Sequence, residues 1–437
     1  MKYGNILVKS GGKDTVRAIK ADFQNKFGPV IQQQPVFIDE DAIKQTFLRT
    51  TRINEKTLGE DFVVHLLAPT FFDLNGNNMY YGGAERYLVE LHHLFQGLGY
   101  ELVVFQCANS SWVRFYHDLK VVGIDTGGVS YALLNKRFHE WVKPAGLTIY
   151  SPFALAQPNC RKNAIGISHG VFWDSYQTPP AKDILDNIIS DILRAMKNLT
   201  WLVSVDTNTI NWTRSQDYPL STKWNYIPNF VDLSQFSPAA GKVPTKELVV
   251  LYPRRLYEAR GFWLLAKQIP HLLKRCPNLV FHFVGKADLA EEVEVKHLEK
   301  VYPGKVKWFN YPPHEMPKVY QEADITVIPT LYSEGTSLSC LEALACKNTV
   351  IATTVGGLPD LIIPGHNGML VKPDGVAISQ AIADLVNDAS LRARLAETGC
   401  QTAHAFRIEV WQTRWKVLLT KMLPSPEQAR VPRAQVV

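Results

Sequence analysis

The chain has 437 residues, of which 46% are hydrophobic and 20% charged, with a formal net charge of +6. This is globular composition, which excludes fibrous and disordered classes, and the length suits two or three domains. No apolar stretch approaches the roughly 20 residues of a membrane span, and the basic residues are scattered without an aromatic-plus-Arg motif, so no nucleic-acid partner is expected.

The six cysteines show no CxxC and no clustering. Neither a disulfide framework nor a zinc site follows, and a reducing compartment does. Met1 to Gly12 carries no apolar run, so no signal peptide is expected and the reading is cytoplasmic. The small basic excess also suits phosphate-bearing ligands or peripheral contact with the anionic inner face of a membrane.

Taken in chain order, residues 1–60 are polar and mixed, and read as an N-terminal extension with one or two helices. Phe62 to Ala68 is an apolar, β-branched run expected as a buried strand. A polar loop from Asp73 to Tyr81 leads through Gly82 and Gly83 into a helix over Ala84–Gly97, with a strand over Glu101–Cys107. Strand, Gly-rich turn, helix and strand form the signature of a parallel sheet covered by helices. Further strands are expected at 148–150, 164–168 and 201–205, with a helical region at 181–197. A Pro/Gly/Lys-rich segment after Phe236 marks a boundary. The alternation then restarts: strands at 248–251, 279–284, 306–309, 325–329 and 350–353, and helices at 262–275, 287–302, 314–322, 336–345, 377–387, 391–405 and 410–422. The fold class is therefore α/β, with two doubly wound Rossmann-like units facing across a cleft. The first spans 61–236 and is completed by a returning helix at 407–423, the second spans 237–406, and 424–437 is a disordered tail.

Four stretches carry chemistry. Glu334-Gly335-Thr336-Ser337-Leu338 follows a strand end and opens a helix that contains Glu342 eight residues on. Free N–H groups and the helix dipole there make a diphosphate site. The plain alternative is a helix cap with an exposed Glu. Arg255 and Arg260 lie across a turn at another strand end, where guanidinium groups neutralise phosphate, or else form a solvated loop. Gly82 and Gly83 open the first helix and are not GxGxxG, so a dinucleotide site is not implied. His169 ends a strand on the other side of the cleft, a position also common for structural histidines.

In this order the pieces resemble glycosyltransferase family 4, retaining enzymes of the GT-B fold. Arg255 and Arg260 match the family's basic pair, and Glu334 and Glu342 its E-x7-E motif. Gly82-Gly83, His169, the junction at Ile227–Asp232 and the Val355–Asp360 and His366–Val371 segments also fall in register. Arg254 stands where Gly is usual, Arg260 replaces Lys, and Asp360 replaces Glu. The resemblance implies transfer of a sugar from a nucleoside-diphosphate sugar to a hydroxyl acceptor, sugar or lipid-linked, in polysaccharide, glycolipid or glycoconjugate assembly. It implies Arg255, Arg260 and the amides of Thr336, Ser337 and Leu338 on the leaving diphosphate, Glu334 on the donor sugar, Glu342 on the ribose, and His169 on the sugar or β-phosphate. It implies neither cofactor nor metal. Two rivals stand beside it: a sugar-nucleotide 2-epimerase on the same fold, and a non-catalytic nucleotide-sugar-binding subunit.

Overall fold

The computed structural model describes residues 35–48, 63–173, 182–241 and 245–423. The expected tail at 424–437 lies outside them, as do 1–34 and 49–60 of the expected extension and residues 61–62 of the expected first domain. Nine strands form the first sheet: β1 (Val36–Phe37), β2 (Val63–Leu67), β3 (Glu101–Ala108), β4 (Trp112–Tyr116), β5 (Leu119–Asp125), β6 (Leu147–Tyr150), β7 (Ala164–Ser168), β8 (Trp201–Ser204) and β9 (Trp224–Tyr226). Their order is β1-β4-β5-β3-β2-β6-β7-β8-β9, parallel except where β4 joins β5 and β1 joins β4. The second sheet holds β10 (Leu248–Tyr252), β11 (Leu279–Val284), β12 (Val306–Phe309), β13 (Ile325–Ile328), β14 (Thr349–Thr353) and β15 (Met369–Val371). Its order is β12-β11-β10-β13-β14-β15, all parallel.

Strand periodicity sets the layers. Along β2 and β3, Val64, Leu66, Leu102 and Val104 face one core cluster, while Leu67, Val103 and Phe105 face another. In β10, Val250 and Tyr252 face one layer and Leu251 the opposite one. Both sheet faces are thus buried under helices, which is why these strands read as continuous apolar runs. In each sheet the chain reverses direction beside one strand, between β2 and β6 and between β10 and β13. Crevices beyond the carboxyl ends of such strands bind ligands in doubly wound folds.

The Ile408–Leu419 helix returns to the first domain. Trp411, Trp415, Leu418 and Leu419 recur at helical spacing and enter the core beside Leu88 and Leu91 of the Gly83–Gly97 helix. Trp415 Nε1 donates to Tyr87 Oη at 3.0 Å, so the indole is buried with its donor satisfied.

Several elements differ from expectation. Residues 35–48 belong to the first domain rather than to an extension: Val36 and Phe37 pair with Val113 and Trp112, and Ile43 of the Glu40–Leu48 helix is fully buried. The β4–β5 hairpin and the Tyr131–Trp141 helix were absent from the sequence-based expectation. The helix expected over 262–275 is two, Phe262–Ala266 and Ile269–Arg275. Pro270 lacks the N–H a continuous helix needs there, so it starts a new one.

Candidate active site

The most informative loop leaves β13 and enters the Leu338–Ala345 helix. Ser337 caps that helix, its Oγ accepting from Cys340 N at 3.4 Å, so the helix starts at Leu338 rather than near Thr336. Among the described residues, the amides of Thr336, Ser337 and Leu338 donate to no acceptor. Thr336 and Ser337 are only 2% exposed. Buried donors without partners at the positive end of a helix favour an anion.

The loop is pressed between the two domains, and glycine makes that possible. A Cβ on Gly335 would lie 2.5 Å from the His169 carbonyl oxygen, and one on Gly356, where φ is 56°, 2.0 Å from the Glu334 carbonyl oxygen. Ser333 Oγ donates to Val171 O at 3.1 Å, Asn229 Nδ2 to Thr336 O at 2.6 Å, and Thr336 Oγ1 to Val205 O. Asp360 receives Thr207 N at 2.7 Å and Thr207 Oγ1 at the first turn of the Thr207–Gln216 helix. A carboxylate at that helix start also suits the dipole.

Glu334 is the electrostatic centre. Its Oε2 accepts from Arg254 Nη2 at 2.7 Å, Arg260 Nη1 at 2.6 Å and Thr330 Oγ1 at 2.8 Å. Burial pushes the carboxyl pKa up, but the two arginine charges and the hydrogen bonds outweigh it and hold the group below its ordinary value, so Glu334 is an anion. None of these bonds uses Oε1. Arg260 also donates to Ser333 O at 2.9 Å.

The structure brings Arg260 to this loop but not Arg255. The Arg255 side chain is 59% exposed, 3.8 Å from Asp288, and stacks 4.4 Å from the Tyr257 ring centroid. Arg254 takes the inner position: consecutive residues leaving β10 point to opposite sides, and Arg254 is the one directed at Thr330 and Glu334. The visible signal for it was the Arg standing where glycine is usual.

From the first domain, Gly82 caps the Gly83–Gly97 helix, and a Cβ on Gly83 would sit 3.6 Å from Leu338 Cδ1. The two helix tips therefore face the same point. Glu85, folded back over Gly82, is pushed up to about 7 by burial, partly offset by the Glu85 and Gly82 amides. His169 lies against the Tyr87 ring, with Nε2 2.8 Å from Ser151 Oγ. Burial lowers its pKa to about 4, so the imidazole is neutral at pH 7. Glu342, 3% exposed, lies one turn into the Leu338 helix, where Tyr320 Oη and the Arg86 guanidinium meet it. Arg254, Thr330, Tyr320, Arg86 and Thr207 were not singled out from sequence. Tyr320, Arg86 and Thr207 come from elements distant in the chain from their partners, which one-dimensional spacing does not reveal, whereas Thr330 sits in the same loop as Glu334 and Arg254 beside Arg255. No group of three or more His, Cys, Asp or Glu side chains able to hold a metal occurs among the described residues. No described helix is long and apolar enough to cross a membrane.

This architecture is the GT-B fold. The chain superposes on sucrose-phosphate synthase from Thermosynechococcus elongatus with a TM-score of 0.66, covering 82% of this chain and 98% of that one at 20% identity. It superposes on Anabaena Alr3699/HepE in complex with UDP and glucose at 0.64, covering 82% and 100% at 16% identity. Residues 234–402 match the family model described as Glycosyl transferases group 1, in agreement with the family-4 resemblance read from the motifs. A D-inositol 3-phosphate glycosyltransferase of Corynebacterium jeikeium is 29% identical over 211 residues, 44% of this chain and 49% of that protein. A GDP-mannose-dependent alpha-(1-6)-phosphatidylinositol monomannoside mannosyltransferase of Mycolicibacterium smegmatis is 26% identical over 306 residues, 64% of this chain and 76% of that protein. The chain spans about half the length of the D-inositol 3-phosphate glycosyltransferases it matches.

Proposed function

We propose that the protein is a retaining glycosyltransferase that moves a sugar from a nucleoside-diphosphate donor to a hydroxyl acceptor. The observation that carries this is Glu334, held as an anion by Arg254 and Arg260 beside a helix start with unpaired amides. The leaving diphosphate develops charge as the glycosidic bond breaks, and preorganised donors aimed at that charge lower the barrier. The amides of Thr336, Ser337 and Leu338 together with Arg260 supply them, while Arg255 turns to Asp288 instead. Glu334 Oε1 accepts a donor-sugar hydroxyl, and its negative charge favours positive character at the anomeric carbon. Neutral His169 offers Nδ1 to the sugar or β-phosphate from the opposite domain, and Gly82-Gly83 lets a ligand approach the first helix tip. Glu342 takes the ribose. The relatives are a glycosyltransferase and a mannosyltransferase, which favours this reading over the 2-epimerase and the non-catalytic binding subunit.

The relatives that act on inositol-based acceptors support a lipid-linked or glycoconjugate acceptor. A cytoplasmic location with peripheral contact at the inner membrane face suits the net charge and the exposed Tyr80, Tyr81 and Phe172, all on loops beyond the carboxyl ends of β2 and β7. The test incubates the protein with UDP-, GDP- and ADP-sugars, with and without a panel of hydroxyl acceptors, and follows nucleoside diphosphate release. Release that rises with acceptor, with the anomeric configuration of the product retained by NMR, is expected. Sugar interconversion without release means an epimerase, and tight binding without turnover means a binding subunit.

A further inference from the structure

Glu342 is buried, yet its cationic partner comes from the other domain. Arg86 Nη1 lies 2.6 Å from Oε1, and Tyr320 Oη donates to Oε2 at 2.8 Å. Among the described residues, no other ion pair joins the two domains. The guanidinium approaches off the hydrogen-bonding direction, so Oε1 is buried without an aligned donor. Gly83 faces Leu338 at the two helix tips, and Arg86 and Glu342 follow them by three and four residues. At 3.6 residues per turn the pair therefore sits one turn behind the point where the tips meet.

A carboxylate lacking an aligned donor suits a vicinal diol, whose two hydroxyls are neutral donors in a fixed fork. Glu342 cannot move far, with a side chain 4% exposed, whereas the Arg86 side chain is 36% exposed and has solvent to swing into. We propose that Arg86 competes with a nucleoside ribose for Glu342, so that it sets the strength with which the nucleoside half of the donor is held. This rests on the donor reading above. Arg86 is then a positioning residue: it touches Glu342, and ribose binding requires it to turn away.

The experiment titrates UDP, GDP and ADP into the full chain by calorimetry, then compares the tightest binder and its nucleoside across Arg86→Met, Arg86→Gln, Glu342→Gln and Arg86→Met/Glu342→Gln. Removing Arg86 is expected to tighten nucleotide and nucleoside alike by about 3–10-fold. Arg86→Gln, which keeps a neutral donor, should gain less, and both gains should vanish when Glu342 is Gln. A purely structural Arg86 would lower thermal stability without that Glu342-dependent gain. Unchanged or weaker binding in Arg86→Met overturns the proposal. If that variant does not fold, equal affinity of Arg86→Gln and the parent overturns it instead. Binding by the variant where the parent shows none supports it. Absence of nucleotide binding in the parent and both Arg86 variants overturns the donor reading as well.

Discussion

Arg254 Nη2 lies 2.7 Å from Glu334 Oε2, with the two side chains only 7% and 9% exposed. A charge pair this dry is strongly coupled, and removing Arg254 leaves the buried Glu334 with Arg260 as its one remaining cationic partner. Arg254→Ala is therefore expected to lower stability by roughly 3 kcal/mol, the low end for breaking a buried pair, and to lower turnover sharply. Arg255→Ala, whose pair with Asp288 is exposed and long, should cost at most about 1 kcal/mol. Chemical denaturation of the two variants checks this, and equal losses would contradict the inner placement of Arg254.

Arg260 and Glu342 divide differently between binding and turnover. Arg260→Ala removes a cation from developing phosphate charge, and a loss of about 100- to 1,000-fold in kcat is expected. Glu342→Ala should instead raise the donor KM. Initial-rate kinetics over a donor series separates the two.

The acid limb of the stability curve follows from Glu334. Its folded pKa is below the ordinary 4.5, so its stabilisation is complete above the unfolded value and is lost as pH falls through the folded one. Glu334→Gln should be less stable than the parent at pH 7, and the gap should narrow as pH falls below the ordinary 4.5. Thermal melts between pH 3 and 8 measure it.

Asp206 behaves in the opposite sense. Burial, with a smaller contribution from Asp360, raises its pKa to about 6, and Oδ2 is buried without a partner. A raised carboxyl pKa weakens the fold as pH climbs from the unfolded value of 3.8 to about 6. Asn also caps helices well, so Asp206→Asn should keep the bond to Thr209 N and gain stability across that window. The gain should level off above about pH 6 at about 1–3 kcal/mol. Melts of this variant that track the parent at every pH would contradict it.

How much of this was legible in the sequence differs between strands and site. The buried parallel strands were plain, because burial on both faces leaves near-continuous apolar runs, such as Val63–Leu67 broken only by His65 and Ile325–Ile328 broken only by Thr326. The β4–β5 hairpin was hidden: Trp112–Tyr116 carries Arg114 and turns through His117 and Asp118, not an Asn-Gly pair. In the site, the Glu334 loop was legible from its glycine and helix-start residues. The choice between Arg254 and Arg255 was not, since a one-residue step decides which side chain points inward and only the pleat of β10 settles it. Arg86 was invisible for another reason: its partner lies 256 positions away, on a different domain.

The central claim is that Arg260 and the start of the Leu338–Ala345 helix hold a diphosphate. Calorimetric titration of UDP, GDP and ADP, each against its nucleoside, into the parent and Arg260→Ala tests it most directly. At least one diphosphate should bind the parent more tightly than its nucleoside does, and Arg260→Ala should remove about tenfold or more of that difference while leaving the nucleoside unaffected. Equal affinity of diphosphate and nucleoside for the parent, or an Arg260→Ala variant that binds both as the parent does, would contradict the account.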